Sequence, residues 1–205
     1  MLDSRTVKLT KDMTVEEFYD WHNRNTCRND DHRDWAVANC QTMQECWYKL
    51  SPLRLIWVAT CPGVLKPKEQ RLFAIFCCRE FWHLLPDERS RNSIEVAERY
   101  AFNPNEETRE ELDAAHVAAK NAIRTLRLPN DKELAHKVLK ATRAAGWVSE
   151  PNPVIAVQFT LRTVLSINNT VAARNALRIK YANWFRKHTK PSFWFTPLSL
   201  EYNDD

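Results

Sequence analysis

Gly63 and Gly146 are the only glycines in a chain of 205 residues, and that scarcity constrains the fold more than any motif does. A sheet-rich chain of this length needs many positions with positive φ for its hairpin turns, and glycine supplies most of them. The chain therefore reads as helical. Its length suits one substantial core, so the expected fold is a single all-α domain over residues 1–190.

Side chains able to accept from the free N–H groups of a first helical turn mark the helix starts. Thr14 and Thr42 each precede a glutamate by three residues, Glu17 and Glu45, which is the capping-box pattern, and Thr108 with Glu111 repeats it. Ser51-Pro52 and Asn152-Pro153 join a capping side chain to proline at the first helical position, where a missing N–H does no harm. Stops are expected at Cys61-Pro62-Gly63, at Leu128-Pro129-Asn130 and at Gly146.

This punctuation predicts helices near 15–26, 31–40, 43–50, 52–60, 67–85, 87–101, 108–127, 131–145, 153–167 and 170–188. Brief connections from Pro67 onward favour packed antiparallel helical hairpins, with 67–101 as the central pair. Alanine-rich stretches around Ala114–Ala122 and Ala141–Ala145 favour close helix approach. The last residues, 191–205, hold Phe193, Trp194, Phe195 and two prolines among them, and read as an extended aromatic C-terminal tail strapped over the body of the protein.

The formal net charge of +4 hides a division along the chain. Residues 1–113 carry 16 basic and 20 acidic side chains, whereas residues 114–200 carry 14 basic ones against Asp131, Glu133 and Glu150 alone. Within the basic half, Lys120, Arg124 and Arg127 share one helix face by their spacing, as do Lys137 with Lys140 and Arg174 with Arg178. Such faces suit an acidic protein or phosphates, and these seven residues are the candidate partner-binding set. No nucleic-acid reader motif accompanies them, so nucleic acid stands as the alternative partner. A solvated surface is the plainer account of any charge run.

The stretch Cys77-Cys78-Arg79-Glu80-Phe81-Trp82-His83-Leu84-Leu85-Pro86-Asp87-Glu88-Arg89-Ser90 poses a choice between an active site, a metal site and the buried centre of a fold. Leu72, Phe73, Ile75, Phe76, Phe81, Trp82 and Leu84 surround the predicted helix, which places it in the interior. Cys77 and Cys78 then read as small buried hydrophobes, and their spacing to His83 is not that of a zinc site. The expectation is a polar clasp in which Arg79 or Glu80, buried, is satisfied by Asp87, Arg89 or Glu95, with Arg91, Glu95 and Arg99 laddered along the next helix.

No catalytic constellation and no metal or cofactor site is expected. The histidines lack a nearby nucleophile arranged as a pair. Asp30, Asp31 and Asp34 around His32 fit a solvated helix start, where carboxylates oppose the positive dipole end, better than a proton relay. No run approaches the roughly 20 apolar residues that cross a bilayer. Six cysteines in a chain that needs no staples read as reduced thiols, so a cytoplasmic protein without a membrane partner is expected.

From Asp34-Trp35 through Ser51-Pro52-Leu53-Arg54 to Tyr100-Ala101, the chain resembles a family of helical immunity proteins of bacterial and phage genomes. The most specific part is Arg71-Leu72-Phe73-Ala74, then Cys77-Cys78-Arg79, Trp82-His83-Leu84-Leu85 and Asp87-Glu88-Arg89-Ser90-Arg91, ending in Glu95-Val96-Ala97-Glu98-Arg99-Tyr100-Ala101. The likeness covers about residues 31–127, and extends to His188-Thr189-Lys190-Pro191-Ser192-Phe193. It implies a non-enzymatic protein that neutralises or modulates a toxin or other effector by stoichiometric binding, in the host cytoplasm if phage-encoded, with Arg79, Trp82, His83, Asp87, Arg89, Glu95 and Arg99 as its structural motif. Residues 130–170 find no counterpart there: relatives carry long alanine-rich helices where this chain has the segment 147–169, from Trp147 to Asn169.

Overall fold

The computed structural model describes residues 14–25 and 30–190 of the chain. Among them are ten α-helices and one 3-10 turn, with no strand beyond an isolated bridge between Thr14 and Thr42. The protein is all-α. Contacts group the described residues into two compact units, one formed by residues up to Leu65 together with Lys190, the other by Lys66–Thr189. The aromatic tail expected at 191–205, and Cys27, lie outside the described residues.

In the first unit, α1 (Val15–Asn25), α2 (Asp30–Asn39), α3 (Met43–Lys49) and α4 (Pro52–Ala59) follow the predicted order. The caps explain why. Thr14 Oγ1 accepts from the Glu17 N–H while Glu17 returns to the Thr14 N–H, and Thr42 accepts from Glu45 in the same way. Ser51 leaves its side chain out of the cap, and Pro52 alone opens α4. The interior is aromatic: Tyr19 stacks on Trp57 with centroids 5.6 Å apart, and His22 and His32 meet Trp57 edge-on. Burial lowers His22 to about 3, so that ring is neutral near pH 7, and burial lowers His32 as well. Arg33 joins α2 to α1 through Asp20 and Glu16.

The second unit holds α5 (Pro67–Arg79), α6 (Glu88–Phe102), α7 (Glu106–Arg124), α8 (Lys132–Val148), α9 (Pro153–Val164) and α10 (Val171–His188). Helix α5 lies against α6, α8 and α9, and successive helices α6, α7, α8 and α9 are each in contact. The alanines do what small side chains permit: Ala115, Ala119 and Ala122 of α7 and Ala141, Ala144 and Ala145 of α8 are all buried. Helix α10 packs through Tyr181, Ala182 and Phe185, with the Phe185 and Phe73 rings 4.0 Å apart.

Three local expectations need correction. The helix predicted over 67–85 ends at Arg79, and the chain tightens into a 3-10 turn at Trp82–Leu84. Pro86 bars a helix from continuing through Leu85, because the residue before a proline avoids the helical region, and Leu85 accordingly takes φ −95° and ψ 100°. The cap of α7 is Asn105, whose side chain accepts from the Thr108 N–H while the Thr108 hydroxyl receives the Asn105 N–H. Gly146 does not stop α8, which runs on to Val148. A Cβ at 146 would stand 3.3 Å from Ile123 Cδ1, so the glycine serves the approach of α7 to α8.

The buried arginine of this unit is Arg71, not Arg79. Arg71 is 2% exposed. Its guanidinium donates to the carbonyls of Val148 at 2.9 Å, Glu150 at 3.0 Å and Pro151 at 2.8 Å. Carbonyls at a helix C-terminus lack intrahelical donors, and Arg71 supplies three to the end of α8 and the turn into α9. Desolvation lowers it to about 10, which leaves it charged at neutral pH.

Candidate functional site

The clasp motif forms a half-exposed lattice of ion pairs rather than a buried centre. Arg79 reaches out from the last turn of α5 to Glu98 on α6, and its guanidinium lies 5.4 Å from the Trp82 ring. Glu80 pairs with Lys180 of α10. Asp87 caps α6 by accepting from the Arg89 N–H, and the Arg89 guanidinium grips the same carboxylate at 3.0 and 2.7 Å while donating to Thr125 Oγ1 at 2.7 Å. Those bonds hold the Asp87 carboxyl below the usual carboxylate range.

The expected ladder along α6 also takes other partners. Arg91 pairs with Glu88, and Arg99 with Glu111 of α7 at 2.9 Å. Glu95 and His83 are exposed, and Glu95 makes no ion pair among the described residues. Cys77 and Cys78 are buried, and burial pushes both thiols up, away from the thiolate form. This region ties α5, α6, α7 and α10 together, and its charges are largely spent on one another.

A different region of the same unit leaves its charges open. Between α7, α8 and α9 lies a half-open cavity of about 440 Å³, lined by Lys120 and Ile123 of α7, Lys140, Arg143, Gly146 and Trp147 of α8, and Phe159, Arg162, Thr163 and Ser166 of α9 and its following turn. Four cations from three helices converge there, and no carboxylate lines the cavity. None of the four has a carboxylate partner among the described residues. Lysine and arginine without a counter-charge make such a concavity a field that attracts anions.

The floor and one wall are apolar. Trp147 and Phe159 stack at 4.5 Å with their planes 28° apart, and Phe159 remains 40% exposed. Gly146, which has no side chain, opens the floor beside Ile123. The hydroxyls of Thr163 and Ser166 donate back to the carbonyls of Phe159 and Thr163, both at 2.7 Å, so toward the cavity they offer lone pairs only.

Behind the floor, His116 of α7 contacts the Gly146 carbonyl through Nδ1 at 3.0 Å, and its Nε2 lies 3.3 Å from Glu150. Burial foremost, and then the Lys120 ammonium, lower its affinity for a proton, opposed by Glu150 and the Gly146 carbonyl.

Of the seven basic residues expected from the sequence, the structure brings Lys120 and Lys140 into this cavity. Arg124 ends α7, exposed, donating to Asn121, and Arg127 is exposed in the following loop. Lys137 pairs with Glu133 at 2.6 Å and lines a second depression of about 540 Å³ with Lys132, His136 and Thr170. Arg174 and Arg178 lie half-buried on α10, where Arg178 donates to Asn175 at 3.0 Å.

Sequence reasoning missed Arg143, Arg162, Trp147 and Phe159. Arg143 had a signal, since it stands three residues after Lys140 on the same helix and so shares its face. The other three fall in the segment 147–169, which the family resemblance does not cover. Among the described residues no three His, Cys, Asp or Glu side chains converge on a metal position, and no helix is long and apolar enough to cross a membrane. Comparisons of the chain with protein-family models, with curated proteins and with solved structures find no match.

Proposed function

We propose that this protein is a non-enzymatic binding protein, immunity-like in that it modulates or neutralises an acidic partner protein by stoichiometric binding, through the basic face of α7, α8 and α9. Packed antiparallel hairpins would present that face as a preformed surface in the cytoplasm. The carrying observation is the convergence of Lys120, Lys140, Arg143 and Arg162 on one concavity that no carboxylate lines. Uncompensated like charge opposes folding slightly, and an anionic partner relieves it on binding.

A second reading, nucleic-acid association, draws on Phe159 exposed among cations, since bases stack on aromatic rings beside basic grooves. The experiment is the double charge reversal Lys120→Glu with Arg143→Glu, two exposed positions. The expected result is a folded variant that no longer recovers an acidic, one-to-one protein partner from native cells. Full retention of that partner by the variant refutes the protein reading. Recovery of nucleic acid instead, with a steep loss of affinity as salt rises, establishes the alternative.

A further inference from the structure

We infer that the cavity between α7, α8 and α9 is the seat of one aromatic side chain flanked by carboxylates, presented by an acidic segment of the partner; this rests on the protein-binding reading above. Four properties of the lining specify such an occupant. The first is size. About 440 Å³ is far more than a lone carboxylate or phosphate fills, and it accommodates a single large ring in a half-open recess through which a chain can pass.

The second is the apolar surface waiting there. Phe159, backed by Trp147 at 4.5 Å, leaves 40% of its area in water, and stacked or edge-on rings attract further rings. Ile123 and the side-chain-free Gly146 complete an apolar floor. An aromatic residue entering this recess would bury apolar area against Phe159 and Ile123, as the dominant residues of protein interfaces do against their partners.

The third is charge. Lys120, Lys140, Arg143 and Arg162 lie around the same recess, so a single negative charge would leave most of them unanswered. Carboxylates on either side of the ring answer several at once, and guanidinium forks take them two bonds at a time.

The fourth property separates this occupant from a nucleotide, which also joins a flat ring to negative charge. Reading a base edge needs hydrogen-bond donors and acceptors fixed around the ring. The lining has no asparagine, glutamine or carboxylate, and the protons of the Thr163 and Ser166 hydroxyls are already given to helix carbonyls. The uncharged part of this cavity suits a ring with little or nothing to read.

The test uses fluorescently labelled acidic peptides with one central tryptophan, against the same peptides with alanine in its place. On the full chain, anisotropy titration should give the tryptophan peptide about a tenfold tighter Kd. That difference should vanish in Phe159→Ala, whereas Arg162→Ala should weaken both peptides alike. Phe159→Leu keeps apolar bulk and removes the ring, and should also abolish the difference, so a poorly folded alanine variant does not rescue the proposal.

Equal affinity of the two peptides for the native chain overturns the assignment. So does binding of adenosine diphosphate or oligothymidylate more tightly than the tryptophan peptide. Peptides that bind equally, while the Lys120/Arg143 reversal still abolishes partner recovery, would sink the aromatic seat and leave the protein-binding reading standing. A partner retained by that reversal sinks the reading itself.

Discussion

The segment 67–101 and the segment 147–169 meet in one helical unit and treat their charges in opposite ways. In the first, Arg79, Arg89, Arg91 and Arg99 each have a carboxylate within reach, supplied by Glu98, Asp87, Glu88 and Glu111. In the second, Arg162 joins Lys120, Lys140 and Arg143 with no carboxylate among them. A charged motif that answers itself holds helices together; one left unanswered is available to something else. The conspicuous motif is therefore the scaffold, and the inconspicuous segment carries half of the candidate site.

Arg71 links the two. It belongs to the first segment and bonds three carbonyls that begin the second, so it sets the turn from α8 to α9 on which the cavity depends. Arg71→Met should produce the largest stability loss of any single arginine change, about 3–5 kcal/mol, because one buried and two part-buried carbonyls lose their donor together. Urea unfolding of both proteins measures it. The same variant should lose peptide binding even at temperatures where it remains helical, since the α8–α9 turn is no longer held. A loss under about 1 kcal/mol would mean that the two segments are positioned independently.

Acid should divide the molecule in a different way. His22 binds its proton near 3 when folded, against an ordinary value of 6.5. Between those values the unfolded chain holds more protons, so stability rises with pH across that window and is lost as pH falls through it. For a ring this buried the full effect is on the order of a few kcal/mol, and His22→Leu should flatten the acid limb of urea midpoint against pH. Asp87 has the opposite sign of charge but the same sign of effect. Its carboxyl is depressed below 3.8 by Arg89, so its contribution is present above that value and disappears only as pH falls through its folded value. Asp87→Ala should cost about 1 kcal/mol at neutral pH through the lost helix cap, and should leave the slope between pH 6 and 4, which belongs to the buried histidines with His22 foremost, unchanged.

What could be read from the sequence, and what could not, follows the same contrast. Helix starts at Thr14, Thr42 and Asn152 were legible because a cap is made by neighbours in the chain, within three residues of the turn it satisfies. The end of α5 was misread by several residues although Pro86 was visible, because the proline bars only Leu85 from the helical region, whereas the helix stops at Arg79, six residues before Leu85. Gly146 was misread for a deeper reason. Its spacing resembles a stop, but its use is set by Ile123 on another helix, which no local pattern encodes. The cavity is the extreme case, since its ten lining residues come from three helices and the turn after α9, and the sequence offered only Lys120 and Lys140.

Arg79 gives a smaller and sharper comparison with the cavity. It is exposed and paired with Glu98, so Arg79→Ala should cost no more than about 1 kcal/mol, as exposed ion pairs do. That is well below the loss expected for Arg71→Met, although both arginines belong to the same helix. A loss as large as that of Arg71→Met would restore the buried clasp that the sequence suggests.

The smallest expected effect is also the most diagnostic, because its sign differs between the two regions. Arg79→Gln and Arg162→Gln both remove one positive charge from an exposed helix position in the same unit, and both should change stability by less than about 0.5–1 kcal/mol. Arg79→Gln deprives Glu98 of its partner and should destabilise slightly. Arg162→Gln relieves repulsion among Lys120, Lys140 and Arg143 and should be neutral or slightly stabilising. Added salt screens exposed charges, so it should shrink both differences toward zero from opposite sides. Paired thermal unfolding at low and high salt reads the two signs directly. If Arg162→Gln destabilises as Arg79→Gln does, and salt weakens both in the same direction, the cavity cations have partners of their own in solution and are not held open for an anionic guest.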